Sequence, residues 1–230
     1  MTENFFVGKL EAHFRNEGCF TRREVGVGYG IADLVLFKPN KEKIQKRLKH
    51  RQHIRLLNEN YFKVLSLITD SESKKAPTPL SSIEENISVS SQTLRYKILP
   101  KLKKSGYIKE VGNNLYLKIN GWLPIGKELV AIEAKLHDWN NGLRQAIRYK
   151  TFAHKVYLAM PEQTAKSVNN SQREMLEKYE VGLISFNPES MKKTVLVNAP
   201  SRKPANPHKR DYASEFFWNV EVKKKASSLL

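Results

Sequence analysis

Residues 127–136 read KELVAIEAKL, and this stretch decides the fold class. A period of two sets Leu129, Ala131, Glu133 and Lys135 on one face of a strand and Val130, Ile132, Ala134 and Leu136 on the other. Glu133 and Lys135 therefore project together from the end of an otherwise apolar strand. Burying two such charges costs several kcal/mol unless they pair or meet a metal ion. A second apolar stretch, IADLVLF at 31–37, suits a strand buried on both faces and carries one charge, Asp33. If the two strands are neighbours, Asp33 and Glu133 converge on one hard cation with Lys135 beside it.

Outward from 127–136, strands and helices alternate. WNNGLRQAIRYKTFAH (139–154) reads as an amphipathic helix, KVYLAM (155–160) as a strand, residues 163–180 as a surface helix and VGLISF (181–186) as a strand. Near the start, Phe6, Val7, Leu10 and Phe14 make one apolar helical stripe, with Glu11 at its polar boundary and Gly18 as a stop. This alternation predicts an α/β fold, a sheet flanked by helices. The pieces before Phe37 and after Trp122 are each incomplete alone and together make one domain.

What separates them differs in composition. Residues 38–60 are dense in Lys and Arg, with Glu42 as the sole acid before Glu59. The stretch 39–57 reads as an exposed basic connector whose Lys46, Arg47, Lys49 and Arg51 track phosphates or form a solvated face. Within 58–122 the order is helix, helix, turn, helix and hairpin, that of a winged helix-turn-helix. Its second helix, SSQTLRYKILPKLKK, would offer Gln92, Arg95, Lys97 and Lys101 to DNA, and the hairpin would offer Asn113. The competing reading is a winged helix used for protein contacts. Residues 201–230 form a basic and aromatic extension in which SEFFWNV (214–220) either caps the core or makes a dimer contact.

Taken in order, these elements resemble the PD-(D/E)xK nuclease superfamily, which includes restriction enzymes and Holliday-junction resolvases. The matching residues are Asp33 in GYGIADLVLF, Glu133-Ala134-Lys135 in VAIEAKL, Glu11 in the first helix, and Gln145 with Tyr149 as a Q-x-x-x-Y element. The resemblance covers roughly residues 1–38 and 123–190. Ala32 stands where the family's proline precedes the acid, and the inserted unit widens the spacing between Asp33 and Glu133. It implies a restriction-endonuclease-like mixed sheet, with the core at 1–38 and 123–200 and the winged helix inserted at 58–122. It also implies Mg²⁺ or Mn²⁺ held by Asp33, Glu133 and the Ala134 carbonyl, with Lys135, Glu11, Gln145 and Tyr149 completing the catalytic set. Hydrolysis of DNA phosphodiesters is the implied activity.

The 230 residues carry 40 Lys and Arg against 23 Asp and Glu, a net charge of +17, which favours polyanionic partners. No run of about 18 apolar residues spans a membrane, and no basic-then-apolar leader is present, so a cytoplasmic protein that meets DNA is expected. The single cysteine, Cys19, makes no internal disulfide and supports no cysteine zinc site. Gly26-x-Gly28-x-Gly30 is followed by Ile31 and a strand, so it is not a dinucleotide loop. His50 and His53 lack further ligands. Further competing readings stay open: Asp33 as a hydrogen-bonded structural acid, Glu133 with Lys135 as a solvated edge pair, Glu11 as a helix-surface glutamate, and Gln145 with Tyr149 as an ordinary i,i+4 polar pair. The whole chain could also be a structure-selective repair or recombination nuclease, or a non-catalytic DNA-binding regulator with the α/β core as dimer scaffold.

Overall fold

The computed structural model describes residues 1–28, 30–119 and 124–218. The boundary read at 122–123 and the lysine-bearing end of the C-terminal extension lie outside these residues. The chain runs α1 (Glu3–Asn16), β1 (Phe20–Gly26), β2 (Ile31–Pro39), α2 (Lys41–Lys49), α3 (Glu59–Leu67), β3 (Thr78–Pro79), α4 (Leu80–Glu85) and α5 (Ser91–Thr93). It continues through α6 (Leu99–Lys104), β4 (Ile108–Gly112), β5 (Leu115–Lys118), β6 (Gly126–Ala134), α7 (Trp139–Tyr149), β7 (Lys155–Pro161), α8 (Glu162–Lys178), β8 (Gly182–Asn187), β9 (Lys192–Val197) and α9 (Pro207–Glu215). Two compact units result: residues 1–39 with 126–217, and residues 40–125 with Trp218.

The first unit is a mixed α/β sheet of order β1-β2-β6-β7-β8-β9 flanked by helices. β1, β2 and β6 run antiparallel in succession, with Leu34 opposite Ile132. β6, β7 and β8 run parallel; parallel neighbours need crossovers, and α7 and α8 supply them. β9 returns antiparallel on β8.

Thr2 caps α1 by accepting from the Phe5 amide, and α1 buries Phe6, Val7, Leu10 and Phe14. These pack with Leu34, Ile132, Ala134, Ala159, Ile184 and Phe186 in one core. The Leu34, Ile132 and Ala134 side chains therefore face α1, while Glu133 lies on the opposite face, where it meets α7.

The segment read as a C-terminal extension belongs to this unit. α9 buries Asp211, Ala213, Ser214 and Glu215, and Phe217 stacks on Phe37 with ring centroids 4.6 Å apart. Phe217 and Trp218 are each 2% exposed. Both are covered within this chain, which is the core-capping alternative for these two side chains of SEFFWNV.

In the second unit, β3, β5 and β4 form a small antiparallel sheet, in that order. Asn114, at φ +58°, turns the β4–β5 hairpin. Ser90 caps a helical run that passes from α5 through Leu94–Ile98 into α6 and buries Leu94, Ile98, Leu99 and Leu102. The basic stretch read as an exposed connector is internal on one side. α2 buries Ile44 and Arg47, and Gln52 and Leu56 are also fully buried. The sparse apolar positions there sufficed because the aliphatic stem and planar guanidinium of Arg47 fill core volume.

Candidate active site

The carboxylates meet where β2 and β6 part. The ladder between them reaches Leu34 opposite Ile132, which brings the next residues on each strand, Asp33 and Glu133, beside one another. Asp33 Oδ2 then accepts from the Ala134 amide at 2.8 Å, so its side chain continues the pairing that the backbone has left. Glu133 is 1% exposed. Its Oε2 lies 2.6 Å from the Tyr149 hydroxyl and its Oε1 3.0 Å from Lys135 Nζ. The Tyr149 hydroxyl also lies 2.7 Å from the Ile31 carbonyl oxygen, which ties α7 to the start of β2.

Electrostatics follow from this crowding. Burial pushes the Asp33 carboxyl up, and the Ala134 amide and Lys135 only partly oppose it. Glu133 is raised by burial first and by the Asp33 charge second, against the pull of Tyr149 and Lys135. Burial alone would depress Lys135, but Glu133, Glu3 and Asp33 together raise it, so it stays an ammonium at neutral pH. Burial, then the bond to Glu133, raises the Tyr149 phenol, which therefore remains protonated.

Two glycines make the assembly sterically feasible. A Cβ at Gly142 would stand 2.7 Å from Leu158 Cδ1 and 2.8 Å from Lys135 Cγ. One at Gly30 would stand 3.1 Å from the Tyr149 ring. The bend read from the glycine triplet is at Gly28, with φ +68°, while Gly30 gives Tyr149 its seat.

The structure thus brings together Asp33, Glu133, Ala134, Lys135 and Tyr149. Gln145 lies one turn before Tyr149 on α7, and its Oε1 is buried without a hydrogen-bond partner among the described residues. Glu11 is placed elsewhere, accepting from Arg15 at 2.8 Å and from the Thr21 hydroxyl at 2.9 Å. The glutamate of α1 that approaches the site is Glu3, 3.6 Å from Lys135 Nζ. Eight residues of helix, about 12 Å of rise, separate the two. The sequence stripe fixed which face of α1 is buried but not which end points at the carboxylates. Arg23 was also missed: its charge acts on Asp33, and its guanidinium bonds Asn4 Oδ1 of α1. Only its cross-strand pairing with Leu34, the neighbour of Asp33, reveals it.

Among the described residues no group of three or more His, Cys, Asp or Glu is arranged to hold a metal ion. What the site offers is two adjacent carboxylates, each raised by burial. Paired carboxylates are oxygen donors of the kind that Mg²⁺ takes, one or two at a time, with water and substrate phosphate completing the shell.

The basic residues singled out for DNA are dispersed in role. Lys49, Arg51, Gln92, Lys97, Lys101 and Asn113 are exposed. Lys46 lies 3.9 Å from Glu72. Arg95 is exposed but held by Glu84 in a two-pronged contact of 2.8 and 3.1 Å. Arg47 is the correction: it is fully buried, donates to the Tyr107 hydroxyl and stacks 4.2 Å from the Trp218 ring centroid, so it meets no phosphate. No protein-family model, curated protein or solved structure matches the chain.

Proposed function

We propose that this protein is a metal-dependent DNA endonuclease of PD-(D/E)xK type, with a winged helix-turn-helix unit at 58–122 that grips the substrate. The observation that carries the reading is the meeting of Asp33, Glu133 and Lys135 at the parting of two antiparallel strands. It is supported by the order α1-β1-β2-β6-α7-β7, in which the acid-bearing strand and the Glu-x-Lys strand are neighbours. A purely structural sheet has no need of two carboxylates that oppose one another, one fully and one partly buried.

In this reading Asp33, Glu133 and the Ala134 carbonyl hold Mg²⁺ or Mn²⁺. Such a cation relieves charge on the phosphoryl oxygens and lowers the pKa of water. Lys135, held cationic between Glu133 and Glu3, offsets negative charge growing on the phosphate and orients the attacking water. It serves as a charge stabiliser, since its raised pKa leaves it no capacity to accept a proton at neutral pH. The Tyr149 hydroxyl anchors Glu133 Oε2 and so fixes the carboxylate's orientation. Gln145, one turn before Tyr149 on the same helix, would contact the phosphate or steady Lys135, and the exposed lysines attract the backbone.

The test is cleavage of duplex, single-stranded and branched DNA by the purified chain with Mg²⁺ or Mn²⁺. Asp33→Ala, Glu133→Ala and Lys135→Ala should each lower the rate by about 100-fold or more while DNA binding persists. Calorimetric titration with Mn²⁺ supplies an independent readout, because binding should depend on Asp33. Equal behaviour of wild type and variants in both assays would sink the reading in favour of a non-catalytic DNA-binding protein.

A further inference from the structure

Tyr96 is 76% exposed, more than any other large hydrophobic side chain among the described residues. It stands in the helical run from Ser91 to Lys104, a stretch that contains five cations and no acid. Within that run Leu94–Ile98 is a π-helical turn in which the Leu99 amide bonds the Leu94 carbonyl. The cause is in the sequence: Pro100 has no N–H for the Tyr96 carbonyl four residues back, and its ring crowds that oxygen. Widening the turn relieves the clash, and such turns recur at functional positions.

The groups around Tyr96 select what it can meet. Gln92 and Pro100, one turn away on either side, are exposed. No ring stack or cation covers the tyrosine among the described residues. Lys97, Lys101 and Lys104 are exposed and have no carboxylate within salt-bridge distance among those residues. Arg95 and Lys103, by contrast, are engaged by Glu84 and Glu110. The arginine that would fork onto a guanine edge in a duplex groove is therefore already forked onto a glutamate, and freeing it carries a cost. What remains available is an uncovered aromatic face flanked by unpaired lysines. Stacked bases of a duplex hide their faces, whereas an unpaired base offers one.

We propose that this helical face binds single-stranded DNA, with Tyr96 stacking on an unpaired base and Lys97 and Lys101 on the adjoining phosphates. The site deepens the nuclease reading by naming a preferred substrate form, but its binding does not require the carboxylates.

The experiment is fluorescence anisotropy of the full chain in EDTA, with a labelled oligo-dT and a labelled hairpin duplex. Tyr96→Ala should weaken oligo-dT binding about tenfold and duplex binding less than about twofold, while Tyr96→Phe stays within about twofold of wild type on both. Lys97→Gln should weaken both probes, since phosphates are common to them. Tyr179→Ala, which removes a 40% exposed aromatic from the other unit, should change neither. An unchanged oligo-dT affinity in Tyr96→Ala overturns the proposal, as does an equal loss on both probes or a wild type that does not hold oligo-dT. Metal-dependent cleavage that survives such a result would leave the nuclease reading intact. Tyr96 is exposed, so circular dichroism should report the same fold for each variant.

Discussion

Asp33 acts as a backbone surrogate: its carboxylate takes the Ala134 amide where the β2–β6 ladder ends, and this puts it against Glu133. Both carboxyls are raised, each by burial first. A group raised on folding contributes stability that is full below its ordinary pKa and is lost as pH climbs through its folded value. Without metal, the wild type should therefore lose stability as pH rises above the usual carboxylate range. Glu133→Gln removes one of the two opposed charges. In urea titrations with EDTA the variant should be the more stable protein at pH 7, with the gap closing toward pH 4. A gap that widens toward pH 4 would refute burial and Asp33 as the causes. The residues of this cluster were legible in the sequence because charge inside an apolar strand is rare. Glu3 and Arg23 were not, because surface charges in the first turn of a helix and on an edge strand look alike whether or not they approach a site.

At the scale of the element, α7 is seated by absence of side chain. Gly142 lets it close on Leu158 and Lys135, and Tyr149, two turns on, reaches Glu133 and the Ile31 carbonyl. Gly142→Ala should destabilise by about 1–3 kcal/mol through overpacking and should also displace Lys135, lowering cleavage more than the lost stability explains. Gly182→Ala provides the comparison. Its Cβ would stand 2.3 Å from the Tyr157 ring and 2.8 Å from the Val197 carbonyl oxygen, in the same unit but away from the carboxylates. Thermal melts should show both losses, and cleavage per folded molecule should fall only for Gly142→Ala. The Gln145–Tyr149 spacing marked one helix face as a candidate. That a glycine three residues before Gln145 sets the depth of the face depended on which strand side chains lay beneath it.

For the whole molecule, the charge of +17 makes polyanion binding strongly salt-dependent. If about six phosphates are neutralised, affinity should drop about a thousandfold between 50 and 200 mM salt. Anisotropy across a KCl series in EDTA measures that slope, and Asp33→Ala should leave it unchanged, because in the proposed nuclease the acid would serve chemistry and the basic surface attraction. A flat dependence would contradict the electrostatic account. Pattern along the chain was enough for the α/β class, the apolar stripe of α1, the strand faces of 31–37 and 127–136, and the carboxylates within them. Periodicity and burial cost are local properties, so they can be read along a chain. Tertiary structure alone decided that Arg47 is buried beneath Trp218, that Phe217 stacks on Phe37, and that Glu3 rather than Glu11 reaches Lys135. Each joins residues distant in the chain. An exposed lysine and a buried arginine share the same local pattern, and only the packing of a remote segment removes the water that distinguishes them.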